Sequence, residues 1–195
     1  MKITYDGKEH EAYALVMKRE NALEILNGTK RVEVRAFTEF YDRMFLDMDI
    51  VAKNERDPEH FESPMKKTYC AHFYTMNKKA PWFLDVSIDN IGIASMIEED
   101  IKWLNETYDF HDFDNEWQQF VGKPDDEIPS FYYLGIEKVL QHEGLCPPYC
   151  LSPCHCNPFY PALGIQKNAY TRINEYKRLL GRRVRLFLLN LQIVS

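Results

Sequence analysis

No stretch of this chain is long and apolar enough to span a bilayer. Its greasiest run, Leu186 to Val194, is interrupted by polar residues and falls short of the roughly 20 apolar residues a membrane helix needs. The N-terminus, Met-Lys-Ile-Thr-Tyr-Asp-Gly-Lys, lacks the apolar core of a secretory leader, so the expected setting is cytoplasmic. Also missing are a G-x-S-x-G elbow, an H-E-x-x-H pair, a P-loop and a G-x-G-x-x-G turn. Serine hydrolase, zincin, nucleotide-hydrolysing and dinucleotide-binding readings therefore have no motif to rest on. There is no internal repeat and no low-complexity tract.

What is present suffices for a sizeable core. With 195 residues, 45% apolar and 14% aromatic, the chain reads as one domain with embellishments, a main unit over residues 1–140 and an extension over 141–195 packed on it. The net charge of −6 argues against broad binding to a polyanion, which depends on neutralising phosphates and releasing counterions. The charge is polarised: Lys167 to Arg185 holds seven basic residues and one acidic, and Glu98 to Glu127 eleven acidic and two basic. A charged face that keeps the protein soluble is the simplest meaning of each pole.

Alternation and turn residues outline the elements. Asp6-Gly7 reads as a hairpin turn between Ile3–Tyr5 and a strand near Tyr13 to Met17. A short helix with Ala22, Leu23, Ile25 and Leu26 on its core face follows, then a strand through Val32 and Val34. Thr38 to Asp47 is predicted helical, with Phe40, Tyr41, Met44 and Phe45 buried, and the charged stretch from Lys53 to Lys67 an exposed loop. Thr68 to Tyr74 and Trp82 to Ile88 alternate as an antiparallel pair. Ser95-Met-Ile-Glu98 has the form of a capping box opening a helix with Ile97, Ile101 and Leu104 on one side, and Asp114 to Val121 adds a shorter helix. Phe131 to Val139 is a β-favouring run placed to close a barrel, and a helix near Asn168 to Leu180 and a strand from Arg183 to Val194 follow.

The most informative segment is Gly28-Thr-Lys-Arg-Val-Glu-Val-Arg35. Gly28 is placed to cap the first helix in the left-handed conformation and turn the chain into a strand. Lys30 then sits at the mouth of the turn, Val32 and Val34 enter the core, and Glu33 and Arg35 face outward together, lining a polar cleft. An ordinary surface ion pair would have the same residue types.

This string, G-x-K-x-x-E-x-R directly after Ala14 to Asn27, resembles the start of an ASCH domain, a member of the PUA-like group of small β-barrels. The resemblance spans roughly residues 13 to 140 and is specific only in the helix and the charged strand. It implies an α+β fold: a small mixed or antiparallel PUA-like barrel with flanking helices, here carrying a C-terminal extension. It also implies an RNA- or modified-nucleotide-binding module, with Gly28, Lys30, Glu33 and Arg35 as ligand-binding residues. Trp82, beside a proline at a strand start, is the aromatic considered for stacking on a base.

The alternative that the resemblance implies is catalysis in the same cleft, as an amidohydrolase on an acylated nucleoside such as acetylcytidine or as a ribonuclease. In the amidohydrolase type a motif lysine, a threonine and a downstream glutamate act together. The lysine is Lys30, but Glu33 stands at the threonine position, and a carboxylate beside Lys30 favours the ammonium. Glu33 as general base with Lys30 stabilising an oxyanion is the catalytic pairing that remains, and the downstream glutamate is open among Glu98, Glu99 and Glu106. A third reading is a protein-interaction role carried by the extension.

Four of the five cysteines, Cys146, Cys150, Cys154 and Cys156, lie within eleven residues. A structural zinc fits such spacing, with His155 or His142 replacing one sulfur, and reduced free thiols fit it equally. No other cofactor is expected. His72 and His111 read as structural hydrogen-bonding residues before they read as general bases.

Overall fold

The computed structural model describes residues 1–145, and the cysteine cluster, the basic pole and the helix and strand expected in the extension all lie outside those residues. The chain opens with a hairpin, β1 (Lys2–Tyr5) and β2 (Lys8–Glu11), paired antiparallel from Lys2↔Glu11 to Tyr5↔Lys8. Asp6 and Gly7 make its turn with φ of 49° and 70°, the doubly left-handed geometry that follows the twist of the flanking strands. The expected turn is therefore present, but it joins β1 to β2 and not to the strand near Tyr13.

That strand is β3 (Tyr13–Val16), followed by α1 (Arg19–Leu26), β4 (Val32–Ala36), α2 (Glu39–Phe45) and α3 (Met48–Arg56). After a long connection come β5 (Cys70–Tyr74), β6 (Phe83–Ser95), α4 (Glu98–Tyr108) and β7 (Ser130–Glu143). Five strands form one mixed sheet in the order β3-β5-β6-β7-β4, with β3 parallel to β5 and the other pairs antiparallel. The fold is α+β, a curled half-barrel with four α-helices among the described residues. Among the described residues β7 lies inside the sheet between β6 and β4, and β3 and β4 are its edges, so β7 is not the closing strand expected from the sequence.

Strands β6 and β7 are long, and their register shifts near Asp85, Ser87 and Ile88. Such bulges bend a strand and increase its twist, which is how two long strands can curl around a core. Gly135 of β7 lies where this region comes close to α4, because a Cβ there would run into Asp89 and the Tyr108 hydroxyl.

The inner face of the sheet holds the main core, with Phe45, Phe73, Leu84, Val86, Tyr132 and Leu134 packed under Ala22, Ile25 and Leu26 of α1. The opposite face packs Val32, Phe131 and Tyr133 against Ile101, Leu104 and Tyr108 of α4. At its other end Ile3 and Ala12 cover Cys70.

Several expectations are corrected. Residues 48–56 form α3, started by Asp47, whose carboxylate accepts from the amides of Asp49 and Ile50 at 3.0 and 3.3 Å. Charge alone had marked its second half as loop. Phe40 faces away from the core that takes Tyr41, Met44 and Phe45, and it is 65% exposed. No side chain caps α4, so the capping box at Ser95 does not form; instead Asp100 accepts from the Ser95 amide at 2.7 Å. Between 114 and 121 only a 3-10 turn, Trp117–Phe120, is present. Among the described residues no helix is long and apolar enough to cross a membrane.

Candidate functional site

The site begins where α1 ends. Asn27 keeps helical backbone, Gly28 turns left-handed at φ +78°, and two amides fold back on the last turn: Gly28 donates to Ile25 at 3.0 Å and Thr29 to Glu24 at 2.9 Å. This is the Schellman arrangement, which satisfies carbonyls the helix leaves open and sets the direction of the following strand. The Lys30 amide and the Thr29 hydroxyl also reach the Glu24 carbonyl, each at 3.1 Å, and these bonds fix the start of β4.

Along β4 the side chains alternate. Val32 and Val34 pack toward α4, while Glu33 and Arg35 lie on the inner face beside Leu134 and Tyr132, their partners in the β4·β7 register. The three charged groups of the motif converge. Glu33 takes the Lys30 ammonium at 3.0 Å through one oxygen and the Arg35 guanidinium at 2.9 Å through the other. They are not laid out on an open face. The side chains of Lys30 and Arg35 are 14% and 16% exposed and that of Glu33 only 3%, so the carboxylate is enclosed between two cations.

Arg35 does a second task. It donates from Nη2 to the Val16 carbonyl at 3.0 Å, from one edge strand to the other, and so bridges the seam that backbone pairing leaves open. Its guanidinium also lies 6.0 Å from the centroid of the Tyr41 ring, within the range of a cation–π contact. Among the described residues the buried Arg35 Nε has no hydrogen-bond partner, and neither does Glu33 Oε2, which meets Lys30 at ion-pair distance without hydrogen-bond geometry. Beside them Tyr132 donates to Asp42 at 2.7 Å, a second buried polar pair on the same face.

Lys30 also lines a cleft of about 220 Å³ on the other side of the turn. One wall is the α1–β4 loop with Thr29, Lys30 and Arg31; the other is the segment from Tyr108 to Asp112. His111 is held there by Asp114 at 2.9 Å and Asp109 at 3.1 Å, and these two hydrogen bonds push its pKa up. The Tyr108 hydroxyl donates to Asp89 at 3.3 Å. Burial raises the Asp89 carboxyl above the usual range, against the hydrogen bond from Tyr108 that acts to lower it.

Of the residues named from sequence, Lys30, Glu33 and Arg35 come together, and Gly28 serves as the exposed turn that aims them. Trp82 stands apart in function, packed in the main core at 6% exposure with no face open to a base. Glu98, Glu99 and Glu106 lie on the exposed side of α4. His72 donates from Nδ1 to the buried Asp85 at 2.6 Å, and the other Asp85 oxygen accepts from Gln141 at 2.8 Å, a tie across three neighbouring strands. Arg31, Tyr108 and Asp89 were not foreseen. Gly135 inside a strand pattern was the available signal, since such a glycine marks a bulge or a close approach.

The expected zinc site at Cys146–Cys156 lies outside the described residues, and among the described residues no group of three or more His, Cys, Asp or Glu is placed to hold a metal ion. No family model and no curated protein matches the chain. Among solved structures, a serine-to-alanine mutant of ZmASCH from Zymomonas mobilis is similar, at 12% identity over 65% of this chain and 68% of that one, with a TM-score of 0.33.

Proposed function

We propose that the protein is an RNA- or nucleotide-binding module that uses the G-x-K-x-x-E-x-R segment, with one nucleotide seated in the cleft at Lys30. The observation that carries this reading is the double position of Lys30, ion-paired to the enclosed Glu33 on one side and lining the cleft on the other. A lysine fixed in that way is oriented before a ligand arrives, so less side-chain freedom is lost on binding.

Lys30 and Arg31 supply cations for a phosphate, and the opposite wall supplies Asp109 and Asp112 as acceptors for base edges or ribose hydroxyls, with both ring nitrogens of His111 engaged by Asp114 and Asp109. A volume of about 220 Å³ lies below that of a typical cofactor pocket and suits a single nucleoside. The resemblance of the motif segment to ASCH domains points the same way.

Fluorescence anisotropy with a labelled single-stranded RNA, and calorimetry with mononucleotides, test the proposal. Lys30→Ala is expected to weaken binding about tenfold or more and to lower the slope of log affinity against log salt by about one. Undiminished binding by the Lys30→Ala, Arg35→Ala double variant would refute the assignment.

Hydrolysis of an acylated nucleoside such as acetylcytidine, or cleavage of RNA, is the second reading. It draws support from Asp89, a carboxyl with a raised pKa hydrogen-bonded to Tyr108 of the cleft wall. Enclosed between two cations, Glu33 is the weaker candidate for general base. Turnover of acetylcytidine lost in both Lys30→Ala and Asp89→Asn would support this reading, and turnover indifferent to both would remove it.

A further inference from the structure

The two walls of the Lys30 cleft differ in what they present to a guest. On the α1–β4 side Lys30 and Arg31 can only donate, with Glu24 beside them. On the other side His111 commits Nδ1 to Asp114 and Nε2 to Asp109, and the Tyr108 hydroxyl donates to Asp89. What remains there is the second oxygen of Asp109 and the whole carboxylate of Asp112, which has no hydrogen bond or ion pair among the described residues.

This wall is held firmly. Helix α4 ends on Asp109 in the left-handed conformation at φ 55°, and Asn105 donates to Asp114 at 2.6 Å. Phe110 and Phe113, on either side of His111 and Asp112, meet edge to face at 5.1 Å and anchor the loop in the second core. Three carboxylates, Asp109, Asp112 and Asp114, fall within six residues and repel one another, and His111 bonds only to Asp109 and Asp114. Asp112 thus adds charge to the loop without a bond that holds it. A carboxylate only accepts, and it can take two adjacent N–H groups at once. Guanine carries such a pair on its pairing edge, N1–H beside the N2 amino group. Adenine and cytosine each set one amino group beside a bare ring nitrogen, and uracil sets one N–H between two carbonyls, so each of these turns a lone pair toward the carboxylate.

We infer that Asp112, with Asp109 set beside it by His111, reads the pairing edge of guanine, so that the nucleotide seated at Lys30 is a guanine nucleotide. This rests on the reading of the Lys30 cleft as a nucleotide site and deepens it. The phosphate end, at Lys30 and Arg31, is common to every nucleotide and carries no base information. Discrimination therefore falls to the carboxylate wall.

The test is calorimetry with the 5′-monophosphates of guanosine, inosine, adenosine, cytidine and uridine on the full chain. It compares wild type, Asp112→Asn, the Asp109→Asn, Asp112→Asn double variant and Lys30→Ala, with circular dichroism to show that each is folded. Wild type is expected to bind the guanosine nucleotide about tenfold more tightly than the uridine one, with inosine, which keeps N1–H and lacks the amino group, in between. Asp112→Asn should bring the guanosine-to-uridine ratio close to one. The ratio is the readout because removing a negative charge strengthens the binding of all five anions alike. Lys30→Ala should weaken all five together. Equal affinity of wild type for the five, all weakened by Lys30→Ala, would overturn the guanine assignment and leave the cleft reading standing. A guanosine preference that persists in the double variant would overturn the carboxylate wall as its reader. Failure of folded wild type to bind any of the five would overturn both readings.

Discussion

Asp89 sits where the β6 bulge brings a carboxyl against the Tyr108 hydroxyl and the backbone of Gly135, and burial there raises its pKa. A free aspartate titrates near 3.9, and the folded protein holds this proton to a higher pH. Between those two values the native state binds more protons than the unfolded chain, so stability falls as pH rises through the window and the full penalty is present above it. Asparagine keeps an acceptor for Tyr108 and carries no charge. Asp89→Asn is therefore expected to be more stable than wild type at pH 7, with the advantage shrinking as pH falls toward 4, as urea melts across that range would show. A constant difference with pH would mean that Asp89 is not the group in question. Should the hydrolytic reading hold, the same substitution would raise stability and abolish turnover, the pattern expected of a strained functional carboxyl.

At the scale of elements, the α1–β4 turn places the whole site, and Gly28 is the residue that permits it. A side chain at φ +78° is strained even though nothing lies within 4 Å of the position its Cβ would occupy. Gly28→Ala is thus expected to cost about 1 kcal/mol through backbone conformation alone, measurable as a lower urea midpoint with an unchanged slope. This element was legible in the sequence because its cause is local: a glycine at a helix end and alternating valines need no knowledge of the rest of the chain. The enclosure of Glu33 was not legible, since it depends on α2, β3 and β7 arriving from elsewhere to cover that face. Phe40 failed for a related reason. Its spacing with Tyr41, Met44 and Phe45 fits a buried face, but helix α2 is only seven residues long and rolls so that Phe45 points inward and Phe40 out. Asp47 starting α3 was readable as a cap, and the charge-rich sequence beyond it obscured the helix. Of the site, the motif triad could be read and its second wall could not, because Tyr108 to Asp112 meets the motif only through tertiary packing.

For the whole molecule, the boundary between the main unit and the rest bears on every truncation. The sequence places it at 140, but β7 continues to Glu143, pairing His142 with Leu84 and Glu143 with Phe83. Arg19 donates to the Gly144 carbonyl at 2.8 Å, tying the first helix to this end. Leu145 is 1% exposed and belongs to the main core. Burying one leucine contributes about 2 kcal/mol, and the lost strand pairs add to that. A chain ending after residue 140 should therefore be at least about 2 kcal/mol less stable than one ending after 145, a large share of the 5–15 kcal/mol typical of a domain. Urea melts of the two forms measure the difference directly. If their midpoints coincide, residues 141–145 contribute nothing to the main unit and the boundary read from sequence is the physical one. If the shorter form alone is destabilised, a loss of RNA binding on cutting at 140 reports damage to the core, and only a cut at 145 isolates what the segment beyond it adds.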